Sequence, residues 1–176
     1  MRQNVESKVY GAMDDSSREN QAYELWRLLS KVRRVIFKVR ERELSRYDIT
    51  PEQCGVLYII KHADEPPSQS YISRIMMIEP HTMSGLVKRM ELKGLLKRER
   101  NPRRKNVTRI MITEKGEEAY KISMAKKESI SNIMLGLSEE ELEQLSVHLN
   151  KIFERATIAL EKTYKSPLSI PDSMPD

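Results

Sequence analysis

The chain has 176 residues, 39% hydrophobic and 32% charged, with a net charge of +5 from 31 basic and 26 acidic side chains. A chain this long folds without metal or disulfide staples, and its apolar runs fall well short of the roughly 20 residues a membrane-spanning helix needs. One cysteine, three scattered histidines and six glycines provide no disulfide, no metal-ligand spacing and no phosphate-cradling loop. Catalytic and metal-binding residues are therefore assigned to none, no cofactor is expected, and the expectation is a non-enzymatic, cytoplasmic protein without a secretory leader or membrane segment.

Residues 1–18, balanced in charge, are expected to form a flexible N-terminal segment. Residues 19–45 predict one long helix, because Leu25, Leu28, Leu29, Val32, Val35, Ile36 and Val39 recur at three-four spacing. At roughly 40 Å it is longer than a small domain needs. Thr50-Pro51-Glu52-Gln53 then opens a second helix: Thr50 caps it, Pro51 suits its first position and Gln53 completes a capping box. Asp64-Glu65-Pro66-Pro67 stops that helix after His62. Ser68 caps a short helix reaching about Met76, and Met77-Ile78-Glu79 forms a tight break. Pro80 opens a further helix that ends at Gly94, where a left-handed cap lets Leu95 close back onto Met90. Two helices joined by so short a turn form a helix-turn-helix.

Leu95–Arg100 looks extended, Asn101-Pro102 marks a turn, and Asn106–Ile112 alternates in β-branched residues. These predict a hairpin, the wing of a winged helix-turn-helix over residues 46–113. A helix is expected from Thr113-Glu114 unbroken to about Met134. Ser138 and Glu141 then form a capping box for the last helix, whose Leu142, Leu145, Leu149, Ile152 and Ala156 make a heptad seam suited to pairing with another subunit. The proline-bearing tail 164–176 is expected to be disordered. The fold class is mainly α with a small β-hairpin wing (α+β), a winged helix-turn-helix flanked by dimerisation helices.

Residues 95–110 carry seven basic side chains against Glu99 alone. A polyanionic partner is the simplest reason to tolerate such repulsion. On the Pro80 helix, Met83, Leu86, Val87 and Met90 cluster on one side. His81, Ser84, Gly85 and Lys88 share the opposite side with Thr82 at its edge, small or polar as a face in the major groove should be. Pro80, His81, Thr82, Ser84, Gly85 and Lys88 are therefore the candidate recognition residues. Arg98, Arg100, Arg103, Arg104 and Lys105 are the candidate contacts of the wing and its flank. Cys54, beside Val56 and Leu57, reads as an inert core thiol.

Ile49-Thr50-Pro51-Glu52-Gln53 with Val56-Leu57, the run Leu86–Leu95, and Ile112-Thr113-Glu114-Lys115-Gly116 stand in an order and spacing that resembles the MarR family of bacterial and archaeal transcription regulators. The resemblance covers about Tyr23 to Leu160. It implies a homodimer with residues 19–45 and 114–163 as the helical dimerisation region, a winged helix-turn-helix in each subunit and, in many members, a small anionic or phenolic effector bound between the two regions, for which Trp26, Arg33 and His62 are the candidate pocket residues. The chain departs from the family at the wing, where Arg104 and Asn106 replace an Asp-x-Arg pair, and at Gly85, where a basic residue is common. The expected function is a dimeric, sequence-specific DNA-binding transcription regulator, a repressor released by a small-molecule effector. Its partners would be itself and double-stranded DNA bearing a pseudo-palindromic operator. The alternative is a winged-helix protein-interaction module without DNA binding.

Overall fold

The structure, a computed structural model, describes residues 15–100 and 108–163. Along the chain come α1 (Asp15–Ser45), α2 (Pro51–His62), α3 (Gln69–Ile75), α4 (Pro80–Leu92), β1 (Leu96–Arg100), β2 (Thr108–Ile112), α5 (Glu114–Ala125), α6 (Glu128–Met134) and α7 (Glu139–Thr163). The chain divides into one unit ending at Lys38 and a second starting at Val39. Helix α1 begins at Asp15 rather than at residue 19, with that carboxylate in its first turn, where the helix dipole favours an acid.

In the second unit the sequence signals act where they stand. The Thr50 hydroxyl accepts from the Gln53 amide while the Gln53 side chain accepts from the Thr50 amide. Ser68 caps α3. At the end of α4, Gly94 takes a φ of 70°. There the Gly94 amide donates to the Glu91 carbonyl and the Leu95 amide to the Met90 carbonyl. This pair of bonds satisfies two of the helix's orphan carbonyls and turns the chain directly into β1. Strands β1 and β2 pair antiparallel, with Leu96 opposite Ile112 and Arg100 opposite Thr108.

The core collects Val56, Leu57 and Ile60 from α2, Ile72 from α3 and Met83, Leu86, Val87 and Met90 from α4. Leu95, Leu96 and Ile110 at the root of the hairpin complete it. Its close packing sets the direction of α4 and of the wing together. Gly116 fits α5 against this root: a Cβ there would stand 2.0 Å from the Leu95 carbonyl oxygen and 2.8 Å from the Ile112 side chain.

The single helix expected from residue 114 to about Met134 is instead two, α5 and α6. Lys126 leaves the helical region with φ −101° and ψ 69°, and the chain restarts at Glu128. Arg40 and Glu43 of α1 supply bonds to both loose ends, which is why the break is tolerated. The Arg40 guanidinium donates to the Ser123 carbonyl at 2.6 Å and also to the Lys126 carbonyl. A Glu43 carboxylate oxygen accepts from the Ser129 amide at 3.0 Å. Beyond it, Ser138 and Glu141 form the expected capping box at the start of α7.

Candidate nucleic-acid interface

Helix α4 separates its two faces cleanly. Met83, Leu86, Val87 and Met90 are buried, whereas Pro80, His81, Thr82, Ser84 and Lys88 are exposed and Gly85 is half-buried. The helix has Glu79 at its cap position without a side-chain cap bond. Pro80 contributes no donor, so the first turn presents its remaining N–H groups outward. His81 Nε2 lies 3.2 Å from the Thr82 hydroxyl. Lys88 makes no ion pair with a described residue. A Cβ at Gly85 would meet only the Arg89 guanidinium, at 3.4 Å, so nothing in the packing of this chain requires glycine there.

The wing is less uniformly available than its composition suggests. Lys97 pairs with Glu99 at 2.6 Å, Arg98 with Glu91 of α4 at 3.3 Å, and Arg109 with Glu65 at 3.1 Å. The expectation of an unbalanced single-signed run is therefore corrected for Arg98 and Arg109, because acids on neighbouring elements take up their charge, while Lys97 pairs with the one acid already within the run. Glu65 and Glu91 are the residues that reading missed, and their pairing depends on a three-dimensional register that no local spacing encodes. Arg100 is exposed and makes no ion pair with a described residue. Arg103, Arg104 and Lys105 lie outside the described residues.

The effector candidates belong to separate local clusters. In the first unit, Trp26 is exposed with its ring 5.2 Å from Tyr23, and the Arg33 guanidinium lies 6.0 Å over the Phe37 ring. In the second unit, His62 stacks on Tyr58 at 4.2 Å and meets the edge of Tyr120 at 5.9 Å. His62 Nδ1 lies 2.9 Å from the Tyr58 carbonyl, which can only accept, so that nitrogen carries the proton. Burial pushes the Tyr120 hydroxyl above the ordinary tyrosine value. Burial likewise raises the Cys54 thiol, against the opposing hydrogen bond to Ser123. A thiol shifted this way is a poor nucleophile.

Residues 47–105, which span the helix-turn-helix and the first strand of the wing, match the MarR family model. Over that segment, about a third of its length, the chain is similar to the MarR family. It is also 27% identical over 129 residues to the HTH-type transcriptional regulator MhqR of Bacillus subtilis (strain 168), covering 73% of this chain and 88% of that one. Its fold is that of the organohalide-sensing transcriptional regulator RdhR-CbdbA1625, solved with 2,4-dichlorophenol bound. There the TM-score is 0.78 and the identity 21%, over 96% of this chain and 98% of that one. A variant of MarR from E. coli, complexed with operator DNA, has the same fold with a TM-score of 0.69 and 21% identity, covering 76% and 96% of the two chains. Among the described residues, no His, Cys, Asp or Glu group could hold a metal ion, and no helix is long and apolar enough to cross a membrane.

Proposed function

We propose that this protein is a dimeric transcription regulator that binds a pseudo-palindromic operator in double-stranded DNA and is released from it by a small effector. The observation that carries the reading is the two-faced α4, whose Met83, Leu86, Val87 and Met90 are buried while His81, Thr82, Ser84 and Lys88 are exposed beside a basic hairpin. A helix held that way inserts its outer side into the major groove. Arg100 and the 103–105 triplet serve the phosphates, which fix register and carry little sequence information.

Dimerisation falls to α1 and α7. Leu145, Leu149 and Ile152 of α7 are exposed at helical spacing, as are Leu25, Leu28 and Val32 of α1, and such rows call for a second chain. For the effector, the Tyr23–Trp26 and Tyr58–His62–Tyr120 clusters each offer aromatic faces suited to a phenolic or anionic small molecule. The dichlorophenol-bound relative supports that chemical class. A regulator of this kind works in the cytoplasm, where its operator is.

Selection of bound duplexes from a random pool, followed by gel shift across a salt series, tests the reading. The expected result is an inverted repeat with half-sites about 10 bp apart and an affinity that falls steeply with salt. Light scattering should report two chains. No enrichment and no salt-dependent shift would instead favour a protein-interaction module.

A further inference from the structure

Arg109 counts toward the basic run of the wing, yet its side chain is committed within the domain. One guanidinium nitrogen donates to the Pro66 carbonyl at 2.7 Å and the other to Glu65 at 3.1 Å. Its neighbour Ile110 donates its amide to the Pro67 carbonyl at 2.8 Å, and Arg109 itself bridges to Ser68, the cap of α3. Pro66 and Pro67 have no N–H, so this segment cannot complete a strand ladder with β2. It offers carbonyls only, and β2 must bring the donors. The backbone of Ile110 supplies one and the side chain of Arg109 another. Arg109 is the larger restraint, since its planar fork fixes two acceptors at once.

We propose that Arg109 is a positioning residue that anchors the wing to the α2–α3 connection and so aims the hairpin at DNA, rather than a phosphate contact. The inference rests on the DNA-binding reading above. The anchor lies three residues out along β2 from the Leu96–Ile112 root pair, opposite Glu99, and it joins the wing to the start of the helix-turn-helix.

The test uses Arg109→Lys, which keeps the charge but cannot bridge both acceptors, with Glu65→Ala as a second variant. In the DNA-free protein, hydrogen exchange at the Ile110 amide should quicken in Arg109→Lys while circular dichroism and the thermal midpoint stay near wild type. On the selected operator, affinity should fall roughly tenfold, with a shallower salt dependence. Adding Arg104→Ala should then cost less than it does alone, because a misaimed wing has fewer contacts left to lose. Glu65→Ala should also weaken binding, although removing an acid near DNA would strengthen it if charge alone mattered. Unchanged exchange and affinity in Arg109→Lys, effects that simply add to Arg104→Ala, or tighter binding by Glu65→Ala would each overturn the proposal. If the wild-type protein bound no duplex, the functional reading would fail instead, and exchange at Ile110 would still decide whether Arg109 holds the hairpin.

Discussion

Arg40 and Glu43, one turn apart on α1, pair at 2.5 Å across the gap between α5 and α6. The arginine completes the end of one helix and the glutamate the start of the next. Burial raises the Glu43 carboxyl, but the Ser129 amide and Arg40 together outweigh it and hold the group below the ordinary glutamate value. A depressed folded pKa adds stability that is fully present above the unfolded value and is lost as pH falls through the folded one. Glu43→Gln should therefore flatten the acid limb of a stability–pH curve below the ordinary glutamate range. Arg40→Ala should cost about 1–3 kcal/mol at neutral pH, since it strands two carbonyls and a shielded acid. Urea denaturation across a pH series reads both, and a wild-type acid limb in Glu43→Gln would count against the first.

Gly116→Ala should be among the most damaging substitutions in the protein. The Leu95 carbonyl is fixed by the hairpin root and cannot retreat from a methyl group 2.0 Å away. A loss of at least about 2 kcal/mol is expected from overpacking at such a site. Gly85→Ala is the matched control, at a half-buried position where an added Cβ meets only the flexible Arg89 side chain, and should be neutral or stabilising by up to about 1 kcal/mol. Equal thermal midpoints for the two would contradict the packing described for α5.

Met77, in the turn between α3 and α4, is held at φ 51° with about half its surface exposed. A left-handed conformation costs an L-residue roughly 1–2 kcal/mol, and glycine avoids that at an entropic cost of about 0.5–1 kcal/mol. Met77→Gly should raise stability by up to about 1 kcal/mol. A lower thermal midpoint would show that the methionine side chain contributes more than its backbone costs.

Lys88→Ala should weaken the selected operator more than a scrambled duplex, by about 1–3 kcal/mol, because the side chain stands on the exposed face of α4 proposed above to enter the groove. Salt titrations on both duplexes measure the difference. Equal loss on both would move Lys88 to the phosphates.

The elements legible in the sequence are those whose decisive bonds are local. Thr50 and Gln53 are three residues apart and Gly94 sits directly behind the helix it caps, so caps, turn and hairpin follow from spacing alone. The inward and outward faces of α4 follow from periodicity in the same way. The break after α5 does not, because its partners lie across 86 residues of sequence. Nor do the ion pairs of the wing: Glu65 and Arg109 are separated by 44 residues, and nothing near either one points to the other. Gly116 is visible as part of a motif, but the carbonyl that requires it belongs to a different element.

The uncovered apolar rows on α1 and α7 also bear on the amount of protein present. When folding and pairing are coupled, mass action governs stability, and each tenfold dilution removes about 1.4 kcal/mol from the assembled state. A lower copy number therefore shifts paired chains towards single ones. The regulator's own copy number would then act as an input to the promoter, alongside any effector.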